Sequence, residues 1–247
     1  SELIFTSNED QKKMEDLASG KLDFAIPIEK SVLAEVNGRS SNGEILEFKP
    51  HIGFTFWISI NPDVITSKAS RHFIQTLLRG SELDLTSPQT GWSPADQLFL
   101  PKGPARMRDS DVSRFWNAIQ DSSRGHMPTG PIQILISKSF PFKDQIVNKL
   151  QTAGIKFTLT VYADQAEYSK FNPNRPLIFL GSYATKVEEL MSSATKSAAV
   201  ERQSTLGLIG DMLLREGLVA PLVYNNLFFY HSPRININSW SILFPEV

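Results

Sequence analysis

Residues 131–162, PIQILISKSFPFKDQIVNKLQTAGIKFTLTVY, read as strand, helix, strand, and this reading decides the fold class. Ile132, Ile134, Leu135 and Ile136 form a short, nearly continuous apolar run, the pattern of a strand covered on both faces. Pro141 then opens a helix in which Ile146, Val147, Leu150 and Ala153 share one face, while Lys143, Asp144, Asn148 and Lys149 lie mostly on the other. Gly154 follows the last periodic residue and suits a left-handed helix C-cap, where a Cβ would be penalised. Beyond it Ile155, Phe157, Leu159 and Val161 alternate with Lys156, Thr158 and Thr160, which predicts a strand with one wet face. Two strands joined through a helix run parallel, so the class is α/β.

The rest of the chain supplies more of both element types. Upstream, Ser7 and Asp10 match a capping box, and Met14, Leu17 and Ala18 give the following helix an apolar stripe that Gly20 closes. A strand is expected at Leu22 to Ile26, until Pro27 interrupts the backbone donors. Asn42-Gly43 marks a turn, and the β-branched and aromatic residues from Ile45 to Asn61 read as two strands. In the second of these, Phe54, Phe56, Ile58 and Ile60 share a face, leaving Thr55, Trp57 and Ser59 on the other. Phe73, Ile74, Leu77 and Leu78 predict a helix over Ser67 to Arg79 that Gly80 terminates. Four prolines and two glycines between Thr86 and Pro104 exclude regular structure there. Val112, Phe115, Trp116 and Ile119 then form the clearest helical stripe of the chain.

Downstream, Leu177 to Leu180 is a buried-strand candidate followed directly by Gly181, Ser182 and Tyr183, where residues of α/β sheets often face a ligand crevice. Val187, Leu190, Met191 and Ala194 mark one helix, and Leu206, Ile209 and Leu213 another that ends at Gly217. Gly207 and Gly210 weaken the latter or permit close packing. The final stretch, LVAPLVYNNLFFYHSP, is strand material broken by Pro221 and by Asn225-Asn226.

Composition narrows the functional classes. Of 247 residues, 41% are hydrophobic and 21% charged, which are globular proportions. A net charge of −1 offers no overall attraction to nucleic acid or to an anionic membrane surface. The lack of cysteine removes thiol nucleophiles, disulfides and thiolate metal sites together. No apolar run approaches the ~20 residues of a membrane span.

Catalytic signatures are also missing: there is no G-x-S-x-G, no phosphate-binding G-x-x-x-x-G-K-[ST] and no G-x-G-x-x-G. His51, His72, His126 and His231 stand far apart without a chelating pair, so packing or surface roles are expected and neither metal nor cofactor is assigned. Asp109 with Asp111, and Glu188 with Glu189, fall at predicted helix starts where they complement the helix dipole. Lys102, Arg106 and Arg108 precede those aspartates and read as a solvated surface, with a phosphate site as the alternative.

The order of these features resembles the C-terminal part of the family 5 extracellular solute-binding proteins of ABC importers, the peptide- and nickel-binding class. The features are the helix and SGKLDF at Ser19 to Phe24, the aromatic strand ending at Ile60-Asn61 and the helix at Ser70 to Arg79. ADQLFLPKG (Ala95 to Gly103), L-x-x-A-G-I at Leu150 to Ile155, and a last helix leading into Ala220-Pro221-Leu222 complete the order.

The resemblance implies a periplasmic-binding-protein-like clamshell of type II, with mixed sheets flanked by helices, of which this chain is a C-terminal fragment. Residues 1–103 and 216–247 would form the remainder of a discontinuous first lobe, and residues 104–215 a second α/β lobe. It further implies a monomeric, non-enzymatic receptor in the periplasm or outside the cell, anchored to the membrane in one arrangement through a missing N-terminal segment. Its partners would be a small solute, such as a peptide, and a membrane permease, with no nucleic acid bound by this chain. The cleft candidates are Trp57, Ser59, Ser182, Tyr183 and Tyr224. Peptide binders of the family commonly carry Trp and Asp after the strand matching Leu177 to Leu180. Here Gly181 to Lys186 contains no acid, so the resemblance does not extend to that Asp. Two alternatives remain: a ligand-sensing domain of a transcriptional regulator with the same fold, and an enzyme of unrecognised type.

Overall fold

The structure, a computed structural model, describes residues 10–25, 45–48, 53–85, 92–100, 105–138, 140, 142–163, 165–171, 183–226 and 229–234. In chain order its elements are α1 (Asp10–Ala18), β1 (Phe24–Ala25), β2 (Leu46–Phe48), β3 (Gly53–Ser59) and α2 (Lys68–Leu77). After a 3-10 turn (Gly80–Glu82) come β4 (Trp92–Pro94), α3 (Asp109–Ser122), β5 (Ile132–Ser137), α4 (Lys143–Thr152) and β6 (Phe157–Tyr162). The chain continues through α5 (Gln165–Phe171), α6 (Ala184–Lys196), α7 (Ala199–Arg215), β7 (Val219–Asn226) and β8 (Phe229–His231). No helix among the described residues is long and apolar enough to cross a membrane.

The chain divides into two compact units. Unit 1 comprises Ser1–Gly53, Thr86–Trp92 and Asn225–Val247. In it β8 pairs antiparallel with both β1 and β2, Phe24 and Leu46 each lying opposite His231. The predicted stripe of α1 is its core: Met14, Leu17 and Ala18 are buried with Ala25, Ile45 and Tyr230. Gly20 has φ 75°, the left-handed value that favours glycine over any side chain. Asp23 ties the last described residues down, accepting from the Ser232 hydroxyl at 2.9 Å and pairing with Arg234 at 2.6 Å.

Unit 2 comprises Phe54–Leu85 and Ser93–Tyr224. Its central βαβ follows the sequence reading. β5 and β6 are parallel, in register from Ile132 opposite Phe157 to Ser137 opposite Tyr162, and Gly154 has φ 75°. A second sheet has the order β3-β7-β4, with the largely buried β7 in the middle. The α3 stripe is buried throughout: Val112, Phe115, Trp116 and Ile119 pack with Leu214 of α7. Each such side chain removed from water contributes roughly 1.5–3 kcal/mol, which makes α3 the anchor of this unit. On the other side of α7, Ile209 and Leu213 pack with Val187 of α6 and with Leu218 and Val219.

Five local expectations are corrected. The stretch from Thr86 to Pro104 is not wholly irregular: Trp92–Pro94 form β4, an edge strand beside β7, where a proline is tolerated. Gly80 is not a left-handed helix terminator. It is absent from the positive-φ glycines, and a Cβ there would stand 1.7 Å from the carbonyl oxygen of Leu222, so close backbone approach is what requires glycine. On β6 the apolar face is not the dry one: Leu159 and Val161 are 37% and 40% exposed. On β5 only Ile136 is buried, because among the described residues this sheet has two strands, too few to cover both faces. Glu188 and Glu189 lie a turn inside α6, whose first turn carries no acid, whereas Asp109 and Asp111 do open α3.

Candidate functional site

Two polar clusters stand out in unit 2. The first is centred on Tyr224, near the end of β7 and 3% exposed. Strand alternation turns Leu222 and Tyr224 to one side of β7. The Leu222 carbonyl there accepts the Ala95 N–H at 3.0 Å, which sets the next residue, Asp96, beside the tyrosine. The Tyr224 hydroxyl donates to Asp96 Oδ1 at 2.7 Å and accepts from Arg106 Nη1 at 3.1 Å. Arg106 also reaches Asp96 Oδ1 at 3.4 Å and, through Nη2, Asp109 Oδ1 at 2.8 Å. Its side chain is only 17% exposed, so at Arg106 the expected solvated surface is instead a paired and largely covered guanidinium; Arg108 is exposed as expected, and Lys102 lies outside the described residues.

The electrostatics follow from this closure. Burial and then the Asp96 carboxylate push the Tyr224 hydroxyl far above its usual ionisation range, so it stays protonated. For Arg106, burial works against the charge but is outweighed by Tyr224 and Asp96, which hold it more firmly protonated than a free arginine. A cavity of about 230 Å³ adjoins the cluster, lined by Arg79, Ser81, Ser93, Asp96, Arg106 and Tyr224. The Arg79 guanidinium lies 4.7 Å from the centre of the Trp116 ring, a cation–π contact. The ring is itself fixed by an Nε1–H bond to the Asp96 carbonyl at 2.9 Å.

The second cluster surrounds Glu216, at the C-terminal end of α7. Its carboxylate accepts from Lys68 Nζ at 2.9 Å and from the Tyr183 hydroxyl at 3.0 Å. Arg71, 4% exposed, donates Nε–H to the Glu216 carbonyl and Nη1–H to the carbonyls of Ile65 and Thr66. Burial alone would raise the Glu216 carboxyl, but Lys68 and Tyr183 outweigh it and hold it below the ordinary glutamate value. His72 sits beside this cluster with Nε2 2.9 Å from the Arg215 carbonyl oxygen, and burial lowers its basicity. Among the described residues no group of three or more histidines and carboxylates is placed to hold a metal.

The expected cleft residues are therefore distributed. Tyr224 lines the cavity, but its hydroxyl is engaged in the fold. Tyr183 is tied to Glu216. Trp57 is half exposed and Ser59 half-buried, both on β3, and neither takes part in the contacts that hold the two tyrosines. Ser182 lies outside the described residues, as does the strand expected at Leu177 to Leu180. Sequence reading did not single out Arg79, Asp96 or Glu216. Asp96 and Arg106 are ten residues apart in an irregular stretch, where no periodicity reports a shared site.

No protein-family model matches the chain, and no curated protein does. Solved structures do. The chain is similar to the ABC transporter substrate-binding protein CtaP from Listeria monocytogenes, at 13% identity and TM-score 0.60 over 92% of this chain and 54% of that one. The oligopeptide-binding protein AppA from Bacillus subtilis, solved with a nonapeptide, matches at 12% identity and TM-score 0.58 over 91% of this chain and 54% of that one. A nickel ABC transporter from Bacillus halodurans matches at 12% identity and TM-score 0.58 over 92% and 56%. At these identities the likeness is one of fold. The chain has the mixed α/β architecture of periplasmic-binding-protein-like molecules, and it spans about half the length of the solved chains it matches.

Proposed function

We propose that this chain is part of the substrate-binding component of an ABC importer, a binding protein that captures a small solute and presents it to a membrane permease. The observation that carries the reading is the extent of the likeness: 92% of the chain follows the fold of a substrate-binding protein. The solute is a peptide or another small solute. In the longer, two-lobed molecule, residues 104–215 belong to the second lobe, and residues 1–103 with 216–247 to the remainder of the first. Trp57 and Ser59 are the proposed ligand contacts, since Trp57 offers half of a large aromatic surface to solvent and neither side chain is committed to the polar clusters. Tyr183 and Tyr224 act in this reading by fixing the wall behind the ligand. The proposed location is outside the cytoplasm.

The test is thermal denaturation of the full-length gene product against tri- to nonapeptides and Ni²⁺, followed by scattering measurements of its radius of gyration. A ligand present at about a hundred times its Kd adds ~2.7 kcal/mol to stability, enough to raise the melting temperature by several degrees. A rise with a smaller radius of gyration fits a receptor that closes on its solute. If no compound shifts melting and the radius never changes, the receptor reading fails.

A further inference from the structure

The cavity beside Tyr224 is lined by one cation, Arg79, that has no anionic partner among the described residues. Arg106 and Asp96 neutralise each other across 3.4 Å, and Arg106 also holds Asp109. The Arg79 guanidinium, by contrast, makes no hydrogen bond or ion pair with another described residue, although its backbone bonds Thr76 and Glu82. The residue is half-buried, and its guanidinium carbon lies over the Trp116 ring, 4.7 Å from the centroid. A cation–π contact uses the charge but none of the N–H donors, which remain in the planar fork that suits a carboxylate. The platform is rigid, because Trp116 is 2% exposed and pinned by its bond to the Asp96 carbonyl. Orienting Arg79 therefore costs little further conformational entropy on binding.

We propose that this cavity binds a small monocarboxylate, with Arg79 as its charge partner and the hydroxyls of Ser81 and Ser93 as hydrogen-bonding neighbours. Size and charge select this class. A volume of about 230 Å³ corresponds to roughly seven or eight waters and falls below the ~300–1,000 Å³ of pockets that enclose whole drug-sized ligands. At the cavity wall Arg106 is balanced by Asp96, and Asp109, 79% exposed and outside the lining, is screened by solvent; Arg79 is then the lining cation left for a monoanion to pair. A phosphate dianion would place excess negative charge beside the Asp96 carboxylate. The inference goes beyond the transport reading and is independent of it, since it needs only the folded unit that carries Arg79.

The experiment is a titration with sodium acetate, sodium phosphate and sodium chloride at constant ionic strength, followed by the Trp116 indole N–H resonance. That resonance is assigned through its loss in Trp116→Phe. A saturable shift with acetate and not with chloride is expected, with phosphate binding more weakly. Arg79→Gln is expected to weaken acetate binding at least tenfold. Should Arg79→Gln fail to fold, Arg79→Lys, which keeps the charge but not the fork, is expected to weaken it at least threefold. The proposal is overturned by a response to acetate that does not saturate or that chloride reproduces, by tighter binding of phosphate, or by unchanged affinity in the folded variant. None of these results bears on solute capture, which is read with peptides and Ni²⁺ on the full-length protein.

Discussion

Replacing three glycines of unit 2 by alanine, one at a time, should give three different results, and the structure fixes the order. A Cβ on Gly80 would lie 1.7 Å from the Leu222 carbonyl oxygen and 2.9 Å from the Ala95 amide nitrogen. Both are backbone atoms, joined to each other by a 3.0 Å hydrogen bond next to the β4–β7 pairing. Neither yields without losing that bond or displacing the strand, so Gly80→Ala should cost about 3–5 kcal/mol, from overpacking plus an unmade buried hydrogen bond. On Gly210 the nearest atom is Phe99 Cε2 at 2.6 Å, part of a half-buried ring that can rotate away. The overpacking of ~1–3 kcal/mol is there offset by the ~1 kcal/mol helix preference of alanine, leaving a loss of up to about 2. On Gly207 the nearest atom is the Ala105 carbonyl oxygen at 3.4 Å, an ordinary contact. That variant should gain roughly 0.5–1 kcal/mol from helix propensity alone. Urea unfolding followed by far-UV circular dichroism measures all three, provided the m-value is unchanged. A Gly80→Ala protein within about 0.5 kcal/mol of the parent would refute the close backbone approach, and with it the seating of α2 against β7.

Further consequences follow from the two polar clusters and from β3. Tyr224→Phe removes a hydroxyl bonded to both members of a charged pair and should cost about 1.5–3 kcal/mol; a double-mutant cycle with Arg106→Gln should show coupling above ~0.5 kcal/mol, and additive losses would contradict the shared hydroxyl. Acid should destabilise the protein in two steps. His72 is less basic when folded than its ordinary 6.5, so the unfolded chain takes up the proton first, and its contribution, complete above pH 6.5, fades as pH falls through the lower folded value. Glu216 is likewise held below its ordinary 4.5, so its contribution is complete above that pH and fades below it. Urea midpoints measured against pH should lose the first step in His72→Gln and the second in Glu216→Gln; an unaltered pH profile in either variant contradicts the assignment. Trp57→Ala, at a half-exposed position, should leave stability within about 0.5 kcal/mol yet weaken solute binding by the full-length protein about tenfold, read by calorimetry; unchanged affinity would remove Trp57 from the site.

Elements with a strong period were legible in the sequence. The α3 stripe, the α1 stripe and the parallel β5–α4–β6 unit are found where spacing put them, because burial of one face is a local and repetitive constraint. Gly154 and Gly217 were legible for a related reason: a helix that stops leaves a backbone position that glycine fills, and both have φ above 70°. Gly80 carried the same sequence signal for a different cause, a contact with Leu222 far along the chain. Long-range polar pairing was the part that could not be read. Arg71, His72 and Gln75 look like the wet face of α2, yet all three are buried, where they satisfy carbonyl groups at the end of α7 and the start of β7. In the same way Arg106 resembles one of several exposed cations until Asp96 and Tyr224 are brought to it by folding. The order of elements thus carried the fold, while the residues that make the polar clusters became visible only once the chain was closed.

The most direct test of a transport role is uptake. Cells expressing the cognate permease constitutively would be given a radiolabelled solute chosen by its effect on melting, and its initial rate of entry measured with and without the full-length gene product. A receptor predicts that uptake collapses in its absence and is restored when the protein is supplied. If the same solute binds the protein but enters at an unchanged rate in its absence, the chain does not serve an importer, and a ligand-sensing role takes its place.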